Sequence, residues 1–183
     1  MDAIETIVGR VSPGQLVDPA PTEAQLEQIL RAASRAPDHG RLRPWRFVVI
    51  EGEARLRLGE LMAQSLRRRD PVAPAGRLDA ERKKALRAPL IVIVAAVVQP
   101  SPNVPEIEQI VAAGAAAQNL LLAAHALGFG GFWRTGAVAY DAEVKRALGF
   151  APADAIVGIM YLGTIGMPGK PMAAEPAPVT RRW

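Results

Sequence analysis

Residues 35–47 read RAPDHGRLRPWRF and crowd four arginines, one of the chain's two histidines and a tryptophan into one short stretch. Guanidinium groups at that density are suited to hold an anion through charge-assisted, often bidentate hydrogen bonds. They are also suited to stand solvated on a surface, where isolated ion pairs contribute little. The position argues for the first use, because the stretch joins a predicted helix to a predicted strand and such loops carry function more often than stability. Two other segments offer matching chemistry. GRVS at 9–12 places Arg10 and Ser12 just behind the first predicted helix, and GGFWRTG at 130–136 sets Trp133, Arg134 and Thr135 in a glycine-flanked turn.

Other catalytic equipment is sparse. The two histidines are 86 residues apart and there is no cysteine, which speaks against a zinc site and removes thiol nucleophiles, disulfides and iron–sulfur ligation. No G-x-S-x-G elbow occurs, and Ser12, Ser34, Ser65 and Ser101 show no local pairing with a histidine. GFGG at 128–131 follows a helix and enters a strand, the reverse of a dinucleotide fingerprint, so it reads as a helix C-cap and turn. A chain with basic loops and so few acids, bases or nucleophiles in reach of one another is suited to borrow its chemistry from an anionic cofactor.

The elements that must position these loops follow from pattern. The chain has 183 residues, half of them hydrophobic and 22% charged, with a net charge of +4, the profile of one folded domain spanning 1–183. The absence of cysteine and of a signal-like N-terminus suggests a cytoplasmic address. MDAIETIVGR reads as a short helix. Thr22 with Gln25 forms a capping-box signature, and Leu26, Ile29, Leu30 and Ala33 recur at helical spacing until Pro37. WRFVVIE at 45–51 predicts a strand, 53–69 an amphipathic helix, 70–76 a loop and 79–87 a short charged helix. LIVIVAAVV at 90–98 predicts a buried strand and 106–127 a central apolar helix, core rather than membrane because of its polar Gln118, Asn119 and His125. A strand through Phe132 and Trp133, a helix over 141–148, a strand over 155–164 and an extended tail over 165–183 complete the order. Helices packed about four or so short strands give an α+β or α/β sandwich-like arrangement.

The quoted segments, in this order, resemble the nitroreductase family of FMN flavoproteins, and in particular its small bacterial NAD(P)H nitroreductase branch. The motifs are Arg-x-Ser after the first helix, Ala-Pro-Asp-His followed by Pro-Trp, Gly-Phe-Gly-Gly-x-Trp-Arg-Thr-Gly, and a late Tyr-Leu-Gly-Thr strand, spanning Met1 to about Gly166. The resemblance implies a nitroreductase-like fold with a central mixed sheet of four to five strands, and a homodimer with FMN at the subunit interface. It further implies that Arg10, Val11, Ser12, Trp133, Arg134 and Thr135 of one subunit meet Arg35 and His39 of the other. NADH or NADPH would be the reductant, and a nitroaromatic, quinone or similar small molecule the acceptor, in ping-pong hydride transfer. No side chain is expected as an obligatory acid or base, no metal is implied, and neither nucleic acid nor membrane is expected as a partner.

The residues agree with this reading and leave choices open. Arg10 and Ser12 suit the FMN phosphate, although an arginine behind a helix also suits its last carbonyls. Arg35 and His39 are both candidates for the cation beside the flavin N1 and O2 edge. The family's frequent Asn-x-Gln before Pro-Trp is replaced by Arg41-Leu42-Arg43, cations available to an acidic substrate, to the phosphates of NADPH, or to water. The basic position that often follows Arg-x-Ser is replaced by PGQ at 13–15, which predicts a weaker phosphate hold. Trp45 and Trp133 read first as packing residues, and His125 as a hydrogen-bonded structural histidine. A nucleic-acid module would use the same arginines on phosphates, but 5% aromatic content speaks against it. A flavin- or nucleotide-binding protein without turnover would share the motifs.

Overall fold

The computed structural model describes residues 2–101, 103–170 and 179–183. In chain order the elements are α1 (Ala3–Gly9), β1 (Gln15–Val17), α2 (Glu23–Ala33), β2 (Trp45–Glu51), α3 (Ala54–Arg69), α4 (Ala75–Lys84), β3 (Leu90–Ala96), α5 (Glu106–Ala126), β4 (Gly130–Arg134), α6 (Ala142–Ala147) and β5 (Ala155–Met167). Short 3-10 turns lie at His39–Arg41 and Ala137–Tyr140.

Strand β3 explains the layering. All seven of its residues are buried, and the period of two divides them between faces. Ile91, Ile93 and Ala95 pack with Leu58, Met62 and Ala85 of the α3–α4 layer. Leu90, Val92 and Val94 pack with Ile29 and Ala33 of α2 and with Ala117, Leu120, Leu121 and Ala124 of α5. The apolar 106–127 stretch is therefore a core helix, lying against β2, β3, β4 and β5.

The sheet order is β1-β5-β3-β2, with β4 on the other side of β5. The sheet expected to be mixed is antiparallel at every pairing among the described residues. Connection lengths account for this. The two helices α3 and α4 return the chain to the end where β2 finished, so β3 runs back beside it. The single helix α5 carries the chain to the opposite end, so β4 runs with β3, but β5 lies between them.

Other boundaries also differ from the sequence expectation. Helix α4 begins at Ala75 rather than near 79, because Pro74, which has no N–H to lose, serves as N-cap and its carbonyl accepts from the Arg77 and Leu78 amides. This start sets Leu78 against Ala63, Leu66 and Ala73. β1 falls where no element was expected and pairs with the end of β5, which runs on to Met167, inside the segment expected as tail. Residues 171–178 of that tail lie outside the described residues.

Helices α3 and α4 approach closely at Gly59, where a Cβ would stand 2.6 Å from the Arg82 carbonyl oxygen. Gly59→Ala is expected to destabilise by about 1–3 kcal/mol through this clash, outweighing the gain of up to about 1 kcal/mol in helix propensity. The midpoint of urea unfolding checks it; an unchanged midpoint would show that the two helices can part. At the other end of α3, Arg68 forks onto Asp141 at 2.9 Å, and the same carboxylate caps α6 through the Glu143 and Val144 amides. Burial by itself would raise the Asp141 carboxyl, but the neighbouring Ser65 hydroxyl, the Arg68 guanidinium and the Val144 amide hold it below its ordinary value. The contact fixes the turn that follows β4.

Candidate functional site

The loop that leads into β2 is tied down at several backbone groups. The Asp38 carboxylate accepts the Arg43 amide at 2.6 Å, Gln99 Nε2 donates to the Leu42 carbonyl at 2.9 Å, and the Val97 amide donates to the Pro44 carbonyl at 2.8 Å. Arg46 Nη1 donates to the Arg43 carbonyl at 2.9 Å and the Trp45 carbonyl at 2.8 Å. Within this frame Arg41 and Arg43 adopt φ of 55° and 49°, the left-handed region that costs a residue with a Cβ about 1–2 kcal/mol. Ser34, Arg35, Asp38, Arg41, Arg43 and buried Trp45 line a cavity of about 700 Å³. Trp45 is a packing residue, as its sequence suggested. His39 points elsewhere, with Nδ1 2.6 Å from Glu108 Oε2 near the N-terminus of α5.

Arg10, Val11 and Ser12 lie at the other end of that helix. Asp2 and Glu5 close a capping box at the start of α1, and Arg10 is its C-cap with extended backbone. The Arg10 guanidinium has no hydrogen-bond partner among the described residues, so it does not satisfy the α1 carbonyls. The segment is held by the Gly14 amide, which donates to the Met167 carbonyl at 2.9 Å, and by Pro13, which packs on Gly130. Gly9 faces His125, where a Cβ would lie 3.8 Å from Nε2. His125 is half-buried and has no side-chain hydrogen bond among the described residues, so the expected structural bond is absent.

Trp133, Arg134 and Thr135 alternate at the end of β4. The Trp133 indole donates to the Val157 carbonyl at 2.8 Å and packs over Gly158, where a Cβ would come within 2.8 Å of Nε1. Arg134 turns to the opposite face, 5.4 Å above the Phe132 ring, which stacks on Tyr161 at 4.9 Å. Arg134, Thr135 and Gly136 line a second cavity of about 340 Å³ together with Arg69, Glu81, Lys84, Arg87 and Tyr161. Burial pushes the Tyr161 hydroxyl up, and the nearby Arg87 and Arg134 guanidinium groups work against it. That hydroxyl has no hydrogen-bond partner among the described residues.

Lys84, Arg87 and Tyr161 were missed from sequence. The available signal was the spacing of three among Glu81, Lys84 and Arg87, which sets them on one side of the chain if the helical turn continues; read by itself it was only charge. The Lys84–Glu81 ion pair leaves Arg69, Arg87 and Arg134 as the cavity's excess cations.

One chain does not bring all the expected residues together. His39 is bonded to Glu108 and Arg10 follows Gly9, which faces His125; Glu108 and His125 are 17 residues apart, about 25 Å along α5. At its N-terminal end α5 exposes Ile107 and Val111, each 62% exposed, while α1 exposes Ile4, Ile7 and Val8. Among the described residues, no three histidine, aspartate or glutamate side chains converge as a metal site.

Comparison with known proteins adds to this geometry. The model of the nitroreductase family matches residues 7–164. The chain is 44% identical over 164 residues to an Escherichia coli K12 protein named as the NAD(P)H nitroreductase YdjA, covering 90% of this chain and 88% of that one. It is 36% identical over 165 residues to a Haemophilus influenzae protein named as an NAD(P)H nitroreductase, covering 90% and 89%. A crystal structure of a nitroreductase-like family protein from Bacillus cereus superposes with a TM-score of 0.80 at 25% identity, covering 96% and 92%. A Bacteroides fragilis nitroreductase crystallised with bound FMN shares the fold at a TM-score of 0.74 and 21% identity, over the whole of both chains.

Proposed function

The chain belongs to the nitroreductase family, and we propose that it works as a homodimer in which each of two FMN sites is built from both subunits. The enzyme is an FMN-dependent NAD(P)H oxidoreductase. The observation that carries the site reading is the cavity at the end of β4, where Arg134 and Thr135 meet Lys84, Arg87 and an unpartnered Tyr161 hydroxyl.

The donor set fits the cofactor. Arg10, without a hydrogen-bond partner among the described residues and close to Ser12, suits a phosphate, each charge-assisted bond contributing roughly 1.5–3 kcal/mol. The cation-rich cavity suits the polar edge of an isoalloxazine, and Lys84, Arg87 and Arg134 join Arg35 and His39 as candidates for the stabilising cation there. FMN, when bound, supplies the two-electron chemistry that connects NAD(P)H to an acceptor, since the protein's own side chains offer no redox group. The chain's contribution is to hold the phosphate with Arg10 and Ser12, to present the β4 end as a rigid floor braced by Trp133, and to stabilise negative charge with fixed cations. No proton transfer is assigned to a side chain.

Symmetry supports the composite arrangement. If two copies pack α5 against α5 antiparallel, the N-terminal half of one meets the C-terminal half of the other. The Arg35–His39 segment of one subunit then approaches the Arg10–Ser12 segment of its partner, across the 25 Å or so that separates them within a chain. Burying Ile107, Val111 and the α1 apolar residues in one interface accounts for their exposure in a single chain. A reducing cytoplasm is the compartment this reading assigns to a cysteine-free chain.

Purified protein tests the whole reading. It is expected to carry a flavin absorption spectrum that NADH or NADPH bleaches under anaerobic conditions and that a quinone or nitroaromatic restores. Colour without bleaching would instead mark a flavin-binding protein without turnover.

A further inference from the structure

We propose that Arg41 and Arg43 form a subsite for a substrate phosphate, the 2′-phosphate of NADPH, in the cavity they share with Arg35. This deepens the reductase reading and rests on it.

The backbone carries the argument. Among the described residues, the only non-glycine positions with positive φ are Arg41 and Arg43, and both line the same cavity. Strain of this kind persists where the surroundings over-determine it and clusters at ligand sites. Here the surroundings are explicit: Asp38, Arg46, Gln99 and the Val97 amide each hold a backbone group of the loop. Gly40, at φ 70°, packs against Val104, where a Cβ would meet a methyl at 3.1 Å. All of this fixes main chain and leaves the side chains open. The guanidinium groups of Arg35, Arg41 and Arg43 have no hydrogen bond or ion pair among the described residues. A loop whose only purpose was to stay folded would have no need of arginines at two of its left-handed positions, where asparagine or glycine is less strained.

Charge selects the ligand class. With Arg35 committed to the flavin, Arg41 and Arg43 are the cavity's remaining cations, and its one carboxylate, Asp38, is engaged by the Arg43 amide. Two guanidinium groups without partners match a dianionic phosphate monoester better than a single carboxylate, since each planar fork takes phosphate oxygens bidentately. The cavity, about 700 Å³, lies within the range of small-molecule pockets, with space beside the anion for the rest of a nucleotide.

The test is the double variant Arg41→Asn/Arg43→Asn, which removes both charges and puts a residue tolerant of positive φ at each position. Calorimetric titration of the flavin-loaded dimer is expected to show 2′,5′-ADP binding at least about tenfold more tightly than 5′-AMP, and the double variant is expected to lose that preference. In stopped-flow bleaching, the ratio of second-order rate constants for NADPH over NADH is expected to fall by about tenfold or more. The melting temperature should stay level or rise, since strain is relieved. Equal binding of the two nucleotides to the wild type would overturn the proposal. So would loss of FMN affinity in the variant, which would assign the loop to the flavin phosphate, or a selective loss of reoxidation by nitrobenzoate relative to nitrobenzyl alcohol, which would assign it to the acceptor. A lowered melting temperature with the preference intact would give the arginines a folding role only and also overturn it. A wild-type protein that takes up no flavin fails the reductase reading instead, and the nucleotide titration can still be run on that protein.

Discussion

Replacing Ile107 and Val111 together by aspartate is expected to yield a folded monomer that binds FMN poorly. Both residues are 62% exposed in one chain and lie one turn apart on α5, so the substitution disturbs no core contact of the protomer. In a two-fold interface the double variant introduces four carboxylates, each costing roughly 1–3 kcal/mol when left without a partner. The sum corresponds to roughly a thousandfold or greater loss of association, taking 1.4 kcal/mol per tenfold. Obligate interfaces of this kind bury more than about 2,000 Å² in total, much of it apolar. Light scattering and the retained flavin absorbance report the two consequences separately. Val72→Asp, at an 89% exposed apolar position in the loop between α3 and α4, is the control expected to remain a yellow dimer. A double variant that stays dimeric would place the interface elsewhere, and a monomer that keeps tight FMN would remove the need for a second subunit.

The legibility of this chain divides along the range of the interactions involved. β2 was readable to the residue because apolar alternation, aromatic residues and a preceding proline all mark Trp45–Glu51. α5 was readable because its apolar run is longer than a strand and ends at a glycine that adopts φ 85°. β1 was not, because three residues between prolines carry no period and are a strand only through the edge that β5 offers them. Strand order and direction were beyond reach, since they depend on how many helices separate neighbours. The site divides the same way. Arg10, Arg35 and Arg134 could be singled out as basic residues at loops and strand ends, whereas Tyr161 meets Arg134 only through the pairing of β4 with β5, and Lys84 and Arg87 only through the tertiary fold that brings the end of α4 to that cavity. The bond from His39 to Glu108 crosses 69 positions, and no local pattern announces it. Nor does arginine advertise a left-handed backbone, so the geometry of Arg41 and Arg43 had no sequence signal.

The shared site makes its sharpest expectation when two damaged subunits are combined. Arg10→Ala removes the proposed phosphate contact and is expected to weaken FMN binding by about 1.5–3 kcal/mol, or roughly 10- to 150-fold. Arg35→Ala is expected to weaken the same site from the other subunit. Arg10 follows Gly9, which faces the C-terminal end of α5, while Ala36, next to Arg35, packs on Ala112 and Ala113 in its N-terminal half. In the proposed dimer, antiparallel pairing of the helices would build each site from Arg10 of one subunit and Arg35 of its partner. In a mixed dimer, one site loses both arginines and the other keeps both, because each subunit contributes to it the arginine that was not changed. Random mixing makes about half the dimers mixed, so roughly a quarter of all sites should regain wild-type FMN affinity and diaphorase activity. Each variant must first be shown to be folded and weakly active by itself, and mixed dimers must be counted, for example by differential tagging and mass spectrometry. Recovery in proportion to the mixed fraction requires a site divided between subunits, because a site contained in one chain carries the same single defect in every combination. If mixed dimers form and no activity returns, Arg10 and Arg35 serve different anions, and the reading that joins them across the two-fold axis fails.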